Sequence, residues 1–298
     1  MNHTVTQEEN GRTVYDVLRR SMAVSYTALK RAKWAGGIRL DGEPVHTDQR
    51  VSAGSILSID WEAEAPAYVP RRFDLSLSVP WEDEHLMVVE KPAGLASQSS
   101  RNHPDDSLEN ALYTRAGCPE GYIFRPVNRL DRGTGGLMVV AKTAHAQHLL
   151  QKSLHTADFR RRYLALTDGI PPEAEGTLDF LIGKAPGATV KRQVTSEGKP
   201  SRTRYQVLRS RGGQALLLLE LETGRTHQIR VHLSHIGCPV RGDFLYGKEQ
   251  PQEFPGCFAL HSAALALKHP MTGEWIRIHA LPDWAPDVDP SVLFVDFH

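Results

Sequence analysis

Beyond about residue 72 the chain is punctuated by short apolar runs: HLMVVEKP, GLMVVAKT, YLALTDG, TRYQVL, ALLLLELE, FALHSAALAL and WIRIHAL. Runs of this length, bounded by Gly, Pro or charged residues, read as β-strands. Helical spacing is confined chiefly to AHAQHLLQKSLHTADF and the segment after Gly224. The expected architecture is therefore α+β, with a mixed, mainly antiparallel central sheet carrying loops and a few helices. A chain of 298 residues, 40% hydrophobic, is long enough for two domains and a sizeable core.

Ahead of that sheet, residues 12–60 follow a different pattern. TVYDVLRRSM and SYTALKRAKWAGG carry apolar residues at helical spacing, with Ser25 as an N-cap and Gly36-Gly37 as a stop. The following IRLDGEPVHTDQRVSAGSILSID alternates like short strands, with a hairpin turn at Asp41-Gly42. Two helices and a small hairpin sheet resemble the RNA-binding domain named after ribosomal small-subunit protein four. EAEAPAYVPRR, with three alanines, two prolines and no periodicity, reads as a linker. The expected domains are 1–62, a linker over 63–72, and 73–298.

Formal net charge is zero, but its distribution is uneven. Arg19, Arg20, Lys30, Arg31, Lys33 and Arg39 lie in one stretch without a single Asp or Glu, a local charge of +6. Such a face can neutralise several phosphates, or simply be a solvated helix surface. The resemblance of this unit to an RNA-binding domain favours phosphates. No run is long enough to span a membrane, and MNHTVTQEENGRT lacks the pattern of a signal peptide, so a cytoplasmic location is expected. Cys118, Cys238 and Cys257 are odd in number and suit reduced thiols.

The segment VNRLDRGTGGLMVVAKT holds the sharpest local signal. Residues two apart on an extended chain share a face, so Arg129 and Asp131 are placed to meet one cavity. Asp131 reads equally as a catalytic carboxylate or as the cap of a turn into Gly133, Gly135 and Gly136. The glycines match neither a phosphate loop nor a dinucleotide fingerprint, and the chain has no G-x-S-x-G elbow. His227, His232, His235 and Cys238 would spread around the helix expected over Thr226–Ile236, so no metal is expected. Within that helix Thr226 is the expected cap, and His227, Arg230 and Ser234 fall along one side. Arg230 reads either as a surface or structural ion-pair residue or as the partner of Asp131.

RLDRGTGGLMVVAK, RRYLAL, GKPSRTRYQVL, LETGRTHQIRVHLSHIGCPVRGDFLYG and LHSAALALKHPMTGE, taken in order, resemble the motif series of the RluA family of pseudouridine synthases. The resemblance runs from about Val79 to the end, and VPWEDEHLMVVEKPAGL matches the family's usual opening. It implies that Asp131 is the catalytic aspartate, Tyr163 the aromatic residue that meets the target base, Arg230 the partner of the aspartate, and Arg129 an arginine that helps place RNA. Arg161 and Arg162, in the basic run before Tyr163, are expected to hold phosphates, as are Arg19, Arg20, Lys30, Arg31 and Lys33 in the first domain. Without the resemblance, Tyr163 reads as a core strand residue. Two departures stand out: Asn128 where the family usually has His, and Gly135 where it usually has Ser.

The reaction so implied moves uracil from a ring nitrogen to a ring carbon on the same ribose, with no outside reactant, cofactor or metal. It needs an ionised carboxylate beside sugar and base, and an arginine forked onto that carboxylate would fix its direction. The expected substrate is large-subunit ribosomal RNA, with transfer RNA the second candidate, and the expected state a monomer. Two rivals remain: a non-catalytic RNA-binding ribosome assembly factor on the same fold, and a glycoside-hydrolase-like enzyme pairing Asp131 with a second acid such as Asp243.

Overall fold

The computed structural model describes residues 1–60 and 68–297. Residues 63–67 of the expected linker lie outside the described residues. The chain divides into two compact units, one of Met1–Val69 with Pro119–Ile123 and one of Pro70–Cys118 with Phe124–His298.

In the first unit, strand β1 (Asn2–Thr4) leads into a short helix, α1 (Val14–Asp16), which continues as a π turn over Val17–Ser21. The Thr13 hydroxyl caps it by accepting from the Asp16 N–H at 3.1 Å. Helix α2 (Tyr26–Trp34) starts as the sequence suggests, with the Ser25 hydroxyl accepting from the Ala28 N–H at 3.1 Å. It ends at Gly36, whose φ of +66° suits a left-handed stop. Strands β2 (Ile38–Leu40), β3 (Glu43–Pro44) and β4 (Ile56–Ile59) follow, and the sheet runs β1-β4-β2-β3 with antiparallel pairing throughout. Asp41 and Gly42, both at positive φ, turn β2 into β3. Leu18, Val24, Leu29, Leu57 and Ile59 close a core of their own.

The second unit is built on one ten-stranded sheet. Its elements are β5 (Ser78–Glu82), β6 (Leu86–Lys91), α3 (Leu108–Arg115), β7 (Gly135–Ala141), α4 (Ala144–Ser153), β8 (Phe159–Asp168), β9 (Glu175–Lys184), β10 (Arg192–Val194), β11 (Lys199–Arg211), β12 (Gln214–Leu221), α5 (Gln228–His235), β13 (Leu260–Lys268) and β14 (Trp275–His279). The spatial order is β10-β9-β11-β12-β8-β13-β7-β6-β5, with β14 beside β13. All pairs are antiparallel except β13 with β7. The expected mixed, mainly antiparallel sheet is what forms. Helix α3 is an element that apolar spacing did not reveal; its signal was the capping box of Ser107 with Asn110.

One core cluster gathers Leu86, Val88, Leu137, Val139, Phe159 and Leu265 with Ala146 and Leu150 of α4. A second packs Leu164, Leu216, Leu218 and Ala263 with Ala285, Val288 and Leu293 of the C-terminal segment. Flanked by β6 and β13, strand β7 is buried at every residue. Among the described residues no helix is long and apolar enough to cross a membrane.

The parallel pairing of β7 with β13 depends on a glycine. Gly136 has φ +102°, and a Cβ there would sit 2.3 Å from the Ser262 carbonyl oxygen. Neither strand can retreat without breaking its other pairing. Gly135 is outside the left-handed region, and a Cβ on it would meet nearest atoms at 3.2 and 3.3 Å. Gly136→Ala is therefore expected to destabilise the protein by about 2 kcal/mol or more, and Gly135→Ala by less. Urea unfolding of both variants checks the order.

Candidate active site

The loop that enters β7 carries Asp131 and is clamped on both sides of it. Ser97 Oγ donates to the Leu130 carbonyl at 2.7 Å and accepts from the Leu130 N–H at 3.2 Å. On the far side, the Arg132 carbonyl accepts from the Gly94 N–H at 2.8 Å and from Lys91 Nζ at 3.3 Å. Asn128 Oδ1 accepts from the Val139 N–H at 2.9 Å, so this departure from the usual histidine ties the loop back to β7. With its neighbours fixed, the Asp131 side chain, 26% exposed, projects into a cavity of unit two that Arg129, Thr134, Tyr163, Arg225, His227 and Arg230 also line.

Arg230 holds Asp131, but in a different way from the one expected. Its Nη1 donates to Asp131 Oδ2 at 2.9 Å, while Nε and Nη2 fork onto Asp243 Oδ2 and Oδ1 at 2.7 and 2.9 Å. The two-pronged contact therefore goes to Asp243, and Asp131 receives a single prong. Asp243 is fully buried and also accepts from the backbone N–H groups of Leu245 and Tyr246 at 2.9 and 3.1 Å. A carboxylate so enclosed cannot serve as the second acid of a hydrolase; it anchors the arginine. Burial opposes the charge of Arg230, yet the hydrogen bonds of Asp243 and the charge of Asp131 outweigh it and raise its pKa. Aromatic rings close the guanidinium in, with Phe258 and Tyr246 centred 4.3 and 4.9 Å from its Cζ.

The first glycine after Asp131 makes room for this packing. A Cβ on Gly133 would fall 2.4 Å from the Phe258 ring, the ring that covers Arg230. Helix α5 also begins differently from expectation: His227, in the left-handed conformation at φ 57°, stands at the N-cap in place of Thr226, and no side chain caps the helix there. Gln228 Oε1 gathers the Arg225 N–H and the Thr223 hydroxyl just upstream, at 2.9 and 2.8 Å. His227, Arg230 and Ser234 do share one side of the helix, all facing Tyr246.

His227 joins the site in a way the sequence did not announce. The Tyr246 hydroxyl accepts from the Arg192 N–H at 2.8 Å and shares a hydrogen bond with His227 Nδ1, also 2.8 Å away. The other ring nitrogen, Nε2, lies 3.9 Å from Asp131 Oδ2. Burial lowers the His227 pKa, and the charge of Asp131 counters it in part. His232 instead meets Thr203 Oγ1 at 3.0 Å, and His235 packs edge-on to Phe180. Asp131 Oδ1, by contrast, has no hydrogen-bond partner among the described residues.

Tyr163 is 4% exposed on β8, opposite Ser262 of β13, and burial pushes its phenol up. Arg161 and Arg162 do not lie on the surface, where they were expected to hold phosphates. Both are buried, because successive residues of β8 enter opposite covered faces of the sheet. Arg162 is consumed by Glu220 at 2.6 Å and by the Leu293 and Val295 carbonyls. Arg161 points at the Leu154 carbonyl and His155. Neither presents its charge to a passing phosphate. Arg129 is exposed at the rim. In the first unit Lys30, Arg31 and Lys33 are exposed on α2, Arg20 pairs with Asp16 at 3.5 Å, and Arg19 turns back onto the Val24 carbonyl.

The profile of the family described as RNA pseudouridylate synthase matches residues 85–235. An uncharacterized RNA pseudouridine synthase of Bacillus subtilis is 36% identical over 87% of this chain and 92% of its own length. The chain belongs to the RluA family of RNA pseudouridine synthases. It is thus an isomerase acting on RNA. Ribosomal large subunit pseudouridine synthase D of Xanthomonas campestris is 34% identical over 89% of this chain and 84% of its own. Among solved structures, human RNA Pseudouridylate Synthase Domain Containing 1 superposes with a TM-score of 0.58 at 26% identity, over 76% of this chain and 89% of that one.

Lys91 gives this synthase a measurable signature. It is fully buried, donates to the carbonyls of Pro92 and Leu95 at 2.8 and 2.7 Å as well as to Arg132, and is lowered by burial to about 7. Between about 7 and the usual 10.5 the unfolded chain holds this proton and the native protein releases it. Native stability attributable to Lys91 therefore rises with pH through that window, and the burial cost is fully present below it. The melting temperature of the wild type is expected to gain on that of Lys91→Met as the pH is raised from about 7 towards about 10. A difference that stays constant across this range would mean that the ammonium is not desolvated.

Proposed function

We propose that this enzyme isomerises uridines of large-subunit ribosomal RNA, with Asp131 as its catalytic carboxylate; transfer RNA is the second candidate. The name of the Xanthomonas relative supports the choice of RNA. The role of Asp131 rests on one observation above all: it is a carboxylate in the cavity with one oxygen held by a buried arginine and the other uncommitted.

Isomerisation breaks the bond from ribose C1′ to uracil N1, turns the ring, and joins C1′ to C5. The C5 proton leaves and N1 gains one, so the sum of atoms is unchanged. Whether the carboxylate attacks the sugar, attacks the base or takes a sugar proton, each route needs an ionised oxygen of fixed direction. Arg230 supplies the direction, and Asp243 keeps Arg230 from swinging. The target uridine leaves its stack to reach the cavity, where the Tyr163 ring offers a stacking face of about 1–3 kcal/mol. Arg129 at the rim meets the RNA.

Residues 1–62 act as an RNA-binding domain through Lys30, Arg31 and Lys33, with Arg19 and Arg20 near them, joined through 63–72 to a catalytic domain over 73–298. The alternation of cationic and inward apolar residues on α2 supports this. The enzyme is proposed to act as a monomer in the cytoplasm.

Asp131→Asn keeps the size and most hydrogen bonds but removes the charge, so turnover should vanish while RNA affinity stays. Turnover above a blank would sink the assignment. For Arg230→Lys, a point charge cannot bridge Asp131 and Asp243 at once, and the carboxylate loses its direction. Single-turnover rates are expected to fall at least roughly tenfold, about 1.4 kcal/mol, with little change in RNA affinity.

A further inference from the structure

Helix α2 buries Leu29 and Ala32 against the core of its unit and turns two large rings outward. Tyr26 is 63% exposed and Trp34 is 82% exposed. With Lys30 between them they occupy positions i, i+4 and i+8, one row along the solvent face, about 12 Å from end to end at 1.5 Å per residue. Arg31 and Lys33 flank the row, and α2 contains no acidic residue. Beside Lys33 lies a shallow hollow whose other walls are His46, Thr47, Asp48 and Gln49. Burial of the unit's core needs neither ring, because Leu29, Ala32 and Ala28 already face it.

We propose that this face is a stacking platform for unpaired bases of the substrate RNA, with Tyr26 and Trp34 each taking a base and Lys30, Lys33 and Arg31 neutralising the phosphates between. The inference rests on the reading of residues 1–62 as an RNA-binding domain. Positive charge alone would suit duplex and single strand alike. Exposed rings favour the single strand, since bases inside a duplex already stack on one another and offer no free face. An interleaved row of rings and cations matches a strand whose bases and phosphates alternate on the same scale.

The test uses the full-length enzyme with a labelled single-stranded oligoribonucleotide and, separately, a perfect RNA duplex, titrated across a range of salt. Trp34→Ala and Tyr26→Ala are each expected to weaken single-strand binding about tenfold, with the salt slope and the duplex affinity unchanged. Trp34→Phe, which keeps a stacking face, should recover most of the loss. Lys30→Ala with Lys33→Ala should lower the salt slope by about two. Because both rings are exposed, a thermal melt matching the wild type will show that the fold is intact.

Wild-type single-strand affinity in a folded Trp34→Ala, Tyr26→Ala double variant overturns the platform. Should the lysine variant still lose affinity in that case, the domain binds RNA through phosphates alone and the broader reading survives. If neither variant changes binding, the RNA-binding reading of this unit falls as well. Equal losses on duplex and single strand would assign the face to helical RNA, against the proposal.

Discussion

A guanidinium buried to 3% exposure, held between two carboxylates, is the contact around which the site is arranged. Removing one partner from a buried ion pair costs about 3–5 kcal/mol, because the charge left behind cannot reach water. Arg230 thus requires Asp243, and Asp243 in turn requires the N–H groups of Leu245 and Tyr246. Its open faces require rings, which Phe258 and Tyr246 provide, and Phe258 fits because residue 133 has no side chain. The glycine turn and the acidic turn, far apart in the chain, are both conditions on one arginine.

The opposite wall is held by main-chain bonds rather than charge. Lys91 at the end of β6, with Gly94 and Ser97 just after it, grips the Leu130 N–H and the carbonyls on either side of Asp131. Two independent supports therefore converge on one carboxylate, from the backbone side and from the side chain. Rigid aim at low exposure is what a carboxylate acting on a bound base or sugar needs. His227, held by Tyr246, completes the wall at 3.9 Å and owes its place to a strained left-handed residue.

Sequence reasoning located the family's motifs and the α+β class because both are local signals. Strand runs are read from composition and spacing, and the Ser25 cap and the Asp41-Gly42 turn from side-chain chemistry two or three residues away. The same reasoning erred where a residue's meaning depends on what lies across the sheet. Three successive arginines look like a surface run, yet the pleat sends Arg161 and Arg162 into opposite covered faces. Asp243 looked like a rival acid because its distance from Asp131 is invisible in a chain where they stand over a hundred residues apart.

By itself, then, the sequence carried the family's motifs and the sheet-rich fold, and through that resemblance pointed to Asp131, Tyr163 and Arg230, which line one cavity. The tertiary structure alone decided their division of labour. It gave the fork of Arg230 to Asp243 and one prong to Asp131, set His227 and Lys91 around the site, and withdrew Arg161 and Arg162 from solvent. The reason is physical: propensity and spacing act over a few residues. Hydrogen-bond direction, burial and charge pairing are fixed when strands far apart in sequence come into register.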